Sequence, residues 1–139
     1  MASFFLDTHV VWWLLNNDSQ LDESLRSDIE YPSGHQYCTS EFAILELIHL
    51  NQLGKIKIFG GAAELLSLLN DMNVNLDLVS NDVFKTLDTL PILTINGNRH
   101  TDMMDRIIIA HCITSRQTLI SHDRKFPFYR EFGLNLIET

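Results

Sequence analysis

The run "FFLDTHVVWWLL", residues 4–15, narrows the fold more than any other stretch. It is apolar almost throughout, but Asp7 and His9 interrupt it. That makes it too short and too polar for a membrane span, which needs roughly 20 consecutive apolar residues. It divides instead into two elements. "SFFLD" reads as a short buried strand ending at Asp7, and "THVVWWLLN" as a helix with Thr8 as its candidate N-cap.

The same order of strand then helix recurs. "NDSQLDESLRSDIE" continues in helical style, with Leu21, Leu25 and Ile29 spaced by four, and "YPSGH" is a turn. "QYCTS" is a second strand. Ser40 caps the helix "EFAILELIHLNQL", which closes at Gly54. "KIKIFGG" alternates as a brief extended segment, "AAELLSLLNDM" is helical and "NVNLDLVS" is a strand. "NDVFKTLDTLP" is a helix stopped by Pro91, and "TINGNRH" is a loop. "TDMMDRIIIAHCITSRQ" is a helix capped by Thr101, "TLISHD" a strand ending at Asp123, and "GLNLIET" a last edge strand. Alternating strands and helices predict an α/β fold with a central, mostly parallel sheet flanked by helices. At 139 residues the chain is expected to form one domain over 1–139.

Composition removes several classes. The hydrophobic fraction of 45% and charged fraction of 20% are those of a globular chain. "MASFF" lacks a basic n-region, so no signal peptide is expected. Cys38 and Cys112 are far apart, which predicts two reduced thiols in a cytoplasmic protein rather than a disulfide or a Cys-x-x-Cys site. The net charge of −8 argues against a generic nucleic-acid coat. Yet six of the ten Lys and Arg residues fall between Arg99 and Arg130 (Arg99, Arg106, Arg116, Arg124, Lys125, Arg130), with only Asp102, Asp105 and Asp123 among them. If those acids hold a cation, a basic surface remains for a phosphate chain.

The acids themselves fall in informative places. In an open parallel sheet, ligands bind beyond the carboxyl ends of the strands, near a topological switch point. Asp7 and Asp123 each follow a predicted strand. Asp102 and Asp105 open the helix before the Asp123 strand. Glu46 lies within "AILELIHL", where an unpaired buried carboxylate is costly and a cation removes the cost. Each acid also has an ordinary explanation. Asp7 can cap a helix, Glu46 can reach solvent beside Glu41 or His49, Asp102 can pair with Arg106, and Asp123 can serve a turn.

Four blocks in order carry a resemblance. "FLDTHVVWWLL" resembles the opening of PIN-domain ribonucleases, specifically the VapC-type toxins of toxin–antitoxin pairs. "SEFAILELIHLNQLGKIKI" resembles their second block through Ser40, Glu46, Gly54 and Lys55. "HTDMMDRIIIAHC" is similar to the third, usually His-x-Asp-Pro-x-Asp-Arg, with Met103 in place of Pro. "LISHDRKF" is similar to the fourth, with His122 where a small polar or basic residue is common. Together they run from residue 4 to residue 126.

The resemblance implies a fold and an activity: a PIN-like domain hydrolysing RNA phosphodiester bonds with metal-activated water. It assigns the catalytic and metal-binding acids to Asp7, Glu46, Asp105 and Asp123, with Asp102 and Thr8 as accessory residues. Oxygen-only ligands suit Mg²⁺ or Mn²⁺. Arg106, Arg124 and Lys125 are the expected RNA contacts. The expected partners are RNA, a cognate antitoxin and a second copy in a homodimer, with no membrane. His111 and His122 have no ligand-spaced partner, which disfavours zinc. Trp12 and Trp13 read as a core pair or part of a dimer face.

Three other readings compete. A phosphatase with an aspartate nucleophile needs a second acid two residues after Asp7, where His9 stands. A receiver domain needs paired acids near the first strand. A catalytically silent PIN-like scaffold binding RNA or protein has no need for four converging acids.

Overall fold

Ser3–Leu6 (β1) pairs in parallel with two strands at once, which puts the first residues of the chain at the centre of the sheet. The computed structural model describes residues 2–31 and 34–139. After β1 come α1 (Thr8–Leu15), α2 (Glu23–Glu30), β2 (Gln36–Ser40), α3 (Glu41–Gln52), α4 (Gly61–Asp71) and β3 (Val74–Asp77). They are followed by α5 (Asn81–Thr89), β4 (Thr94–Ile95), β5 (Asn98–Arg99), α6 (Met103–Ser115) and β6 (Thr118–Ser121). A 3₁₀ segment, Phe126–Phe132, leads to β7 (Asn135–Glu138). The five-stranded sheet has the order β3-β2-β1-β6-β7, and every pairing in it is parallel. The expected α/β architecture is therefore the observed one.

Side-chain alternation sorts the strands into two cores. Leu6, Tyr37 and Ile120 face α1, α2, α3 and α4, where Val10, Val11, Leu14, Ile29, Leu47, Leu65 and Leu69 are buried. Phe5, Cys38 and Leu119 face the other way, onto Ile108, Ile109 and Cys112 of α6 and onto Phe126 and Tyr129. Fully burying a side chain such as Phe5 contributes about 1.5–3 kcal/mol. Both cysteines are buried free thiols. Among the described residues, no helix is long and apolar enough to cross a membrane.

Several local expectations are corrected. Asp7, not Thr8, caps α1, because its carboxylate accepts the Thr8 N–H. Asp102, not Thr101, caps α6, by accepting the Asp105 N–H. In both, the ionised oxygen is the better partner for orphan amides at the positive helix end. The helix expected to continue through "NDSQ" breaks between Asn16 and Asp22, where Asn17 has a positive φ of 50°. "KIKIFGG" forms no strand among the described residues; Ile58 is instead buried in the core, its N–H held by Asn51. "TINGNRH" is a two-stranded hairpin. Asn96 and Gly97 sit at φ 52° and 82°, and two successive positive φ values match the right-handed twist of a tight hairpin. Of the expected turn "YPSGH", Pro32 and Ser33 lie outside the described residues.

The break after α1 is held by Arg26. Its buried guanidinium donates to the carbonyls of Trp13, Leu14 and Asp18. Arg26→Met retains the stem and strips those carbonyls of their donor. The expected loss of stability is about 2 kcal/mol, read as a lower urea midpoint at unchanged slope.

Candidate active site

The strand order reverses at β1. From β1 the chain moves through β2 to β3 on one side, then returns to place β6 on the other. The crevice beyond the carboxyl ends of β1 and β6 is the switch point, and Asp7 lies there. Its N–H donates to Ile120 O at 3.1 Å, extending the ladder by one residue. Its Oδ1 accepts the Thr8 N–H at 2.8 Å, and its Oδ2 accepts the Ser121 hydroxyl at 2.7 Å. Ser121 Oγ in turn accepts the Asp123 N–H at 3.0 Å. One buried hydroxyl thus ties the end of β6 to the end of β1.

Asp105 stands in the first turn of α6. Its Oδ2 lies 3.0 Å from Nε2 of His100, whose Nδ1 lies 2.7 Å from the Tyr129 hydroxyl. Both His100 and Tyr129 are buried. Asp102 and Asp123 add their negative fields to Asp105, and Asp105 adds its own to Asp7. Burial pushes the Asp7 carboxyl up to about 6, against the opposing bonds from Ser121 and Thr8. Burial likewise pushes Asp105 up to about 6, against the bond from His100, with Asp102 and Asp123 adding repulsion. A buried and a half-buried carboxyl, both raised by desolvation and by each other's neighbouring acids, are the kind of perturbed pair that gathers at functional sites.

The other expected site residues divide. Asp123 is half-buried beside this pair, and its Oδ1 also accepts the Lys125 N–H, so it serves a turn as well. Asp102 is the cap already described. The Thr8 hydroxyl is buried without a hydrogen-bond partner, next to Asp7. Glu46 is half-buried on α3 and is not among the charges acting on Asp7 or Asp105. Arg106, expected as an RNA contact, has a structural partner here. It is buried, and its guanidinium donates to Leu90 O at 2.6 Å, because α6 turns that position toward the end of α5. Arg124 is exposed and paired with Glu138 at 3.5 Å. Lys125 lines a groove of about 490 Å³ with Arg99, His100, Thr101 and Asp102. Ser121, His100 and Tyr129 were not singled out from sequence. His100 stands at the head of the third block, but nothing local pointed to a Tyr 29 residues away.

Among the described residues, no three His, Cys, Asp or Glu side chains lie close enough to wrap an ion by themselves. Mg²⁺ does not need that. It keeps several waters and is usually held by one or two carboxylates plus substrate phosphate. The oxygen-only donor set, the raised carboxyls of Asp7 and Asp105 and the partnerless Thr8 hydroxyl fit such an ion.

The PIN domain family profile matches residues 4–131. The chain belongs to the PIN domain family. Its fold is similar to that in solved toxin–antitoxin structures. One is VapBC2 from Rickettsia felis bound to a DNA fragment from its promoter, with a TM-score of 0.71 and 17% identity over 98% of both chains. Another is VapBC-1 from nontypeable Haemophilus influenzae, with a TM-score of 0.70 and 18% identity over 98% of this chain and 97% of that one. A third is VapBC-5 from Mycobacterium tuberculosis, with a TM-score of 0.64 and 20% identity over the whole of both. No curated protein matches the sequence.

The raised Asp7 carboxyl makes a pH prediction for the metal-free protein. Its folded value, about 6, lies above its ordinary 3.8. Between these values the folded state binds more protons than the unfolded state, so stability falls as pH rises through the window. The penalty is absent well below the lower value and complete above the upper, at about 3 kcal/mol. Asp7→Asn retains an acceptor for Thr8 and a partner for Ser121 but carries no charge. The variant is expected to match wild type near pH ~4 and to exceed it by about 3 kcal/mol above pH ~7. Calorimetry across that range in the presence of a chelator checks this.

Proposed function

We propose that residues 1–139 are one PIN domain acting as a metal-dependent ribonuclease, the toxin of a toxin–antitoxin pair in the cytoplasm. The observation that carries the reading is the pair of raised carboxyls, buried Asp7 and half-buried Asp105, at the switch point of a parallel sheet. A helix cap alone explains Asp102; it does not explain a buried acid and a half-buried one acting on each other.

Asp7 and Asp105 are the proposed direct ligands of Mg²⁺ or Mn²⁺. Asp123 completes the acidic wall, and Glu46 approaches from α3 to orient the attacking water. A bound divalent ion would supply charge neutralisation at the scissile phosphate and a more acidic water. The chain's own part is positional. Ser121 and the Thr8 amide hold the Asp7 carboxylate in one orientation. Burial around Asp7 and Asp105 lowers the local dielectric, which strengthens their pull on a cation. Lys125 and Arg99, lining the groove beside Asp102, and the exposed Arg124 give the phosphate chain a track into this wall.

The solved relatives are toxin–antitoxin complexes, which supports a cognate antitoxin as partner, and a homodimer follows from the family resemblance. A catalytically silent scaffold is the reading that replaces this one if wild type cuts no RNA.

Single-turnover cleavage of a structured RNA with Mg²⁺ or Mn²⁺ tests the proposal. Asp7→Asn is expected to fold and to cut at least about a hundredfold more slowly, since loss of a metal ligand removes several kcal/mol of transition-state stabilisation. Equal rates in folded variant and wild type would refute the assignment. Lys125→Ala should weaken RNA binding and reduce the slope of log K against log salt by about 0.7, the value for one single-strand phosphate contact. Filter binding between low and moderate salt reads that slope.

A further inference from the structure

Tyr129, His100 and Asp105 form a line of three side chains running from the core to the candidate site. Tyr129 is fully buried on the 3₁₀ segment. His100 is buried at the exit of the β4–β5 hairpin, its N–H fixed to Leu93 O at 2.8 Å. Only Asp105, with its side chain 19% exposed, reaches the crevice.

The direction of the hydrogen bonds follows from the chemistry of the groups. An ionised carboxylate only accepts, so the hydrogen between His100 and Asp105 belongs to Nε2. In the neutral ring Nδ1 is then a bare acceptor, and the Tyr129 hydroxyl donates to it at 2.7 Å. Burial raises the Tyr129 hydroxyl above its ordinary value, so it remains a donor. The imidazole is thus held at both nitrogens and cannot turn without breaking a buried bond.

We propose that His100 is a positioning residue: with Tyr129 behind it, it clamps Oδ2 of Asp105 and leaves Oδ1 as the oxygen presented to a divalent cation. The proposal rests on the metal-dependent reading above. It adds an arrangement in which a buried imidazole orients a ligand from behind without touching the ion. A neighbour that fixes the orientation of a ligand raises metal affinity by about ten- to a hundredfold. The hairpin also acquires a purpose. Asn96 and Gly97, with their paired positive φ values, turn the chain so that His100 enters the core opposite Tyr129.

Binding of Mn²⁺ to the intact chain, followed by loss of the free-ion electron paramagnetic resonance signal, tests this without RNA. His100→Ala is expected to raise the Mn²⁺ dissociation constant about ten- to a hundredfold. His100→Gln, whose amide nitrogen stands near the place of Nε2 and can donate to Asp105, is expected to recover most of the affinity. Tyr129→Phe preserves the ring and removes the hydroxyl. It should weaken binding about three- to tenfold, as one lost hydrogen bond does. It also keeps the test decisive if the alanine variant fails to fold. In wild type, imidazole ¹⁵N shifts at pH ~8 should report a single Nε2–H tautomer for His100, the one that donates to Asp105. Wild-type affinity in folded Tyr129→Phe and His100→Ala would overturn the proposal while leaving the nuclease reading intact. So would Gln binding as weakly as Ala. A wild type that takes up no Mn²⁺ would overturn both.

Discussion

The parallel register of β1 with β6 sets Leu6 opposite Ile120, and the next residues on the two strands inherit that alignment. Asp7 donates its N–H to Ile120 and accepts the Ser121 hydroxyl, so its carboxylate is fixed by the same ladder that builds the sheet. A slip of one residue would turn Phe5 and Leu6 to the wrong faces, exposing both cores. The register is therefore enforced by apolar burial on two sides, and the candidate site receives its accuracy from that constraint.

Burial and charge are in tension at this place. Asp7 lies buried and Asp105 half-buried between the sheet and α6, and each holds its proton more tightly than a free carboxyl does. A backbone amide, a hydroxyl and an imidazole offset part of the cost by donating to the carboxylate oxygens. A divalent cation bound there would add its binding free energy directly to the stability of the folded state. Under the proposed function, such a site would couple folding to metal binding.

The basic residues show how poorly charge counting predicts roles. Arg26 and Arg106 are both buried and both serve carbonyl groups where helices end. Arg124 and Arg130 share Glu138 at the surface. From the cluster between residues 99 and 130, Arg99 and Lys125 remain on the wall of the groove beside Asp102. In sequence these side chains look alike. Their helical phase and the elements packed against them separate a structural cation from one open to phosphate.

The strand–helix order, the parallel sheet and the positions of Asp7, Asp105 and Asp123 at element ends were legible in the sequence. They depend on local properties: apolar period, strand length, cap chemistry and the rule that ligands gather beyond strand ends. At each cap the sequence offers two neighbours, Thr8 or Asp7 and Thr101 or Asp102, and only backbone geometry tells which of the two caps. The pairing of β1 with β6 across 113 intervening residues determined which acids meet, as the Asp7–Ser121 bond records. The tertiary structure alone decided that Arg106 faces inward and that Tyr129 backs His100. Each of these is a contact between elements distant in the chain. No local pattern encodes such contacts, since their partners are chosen by which faces remain to be buried once the sheet has formed.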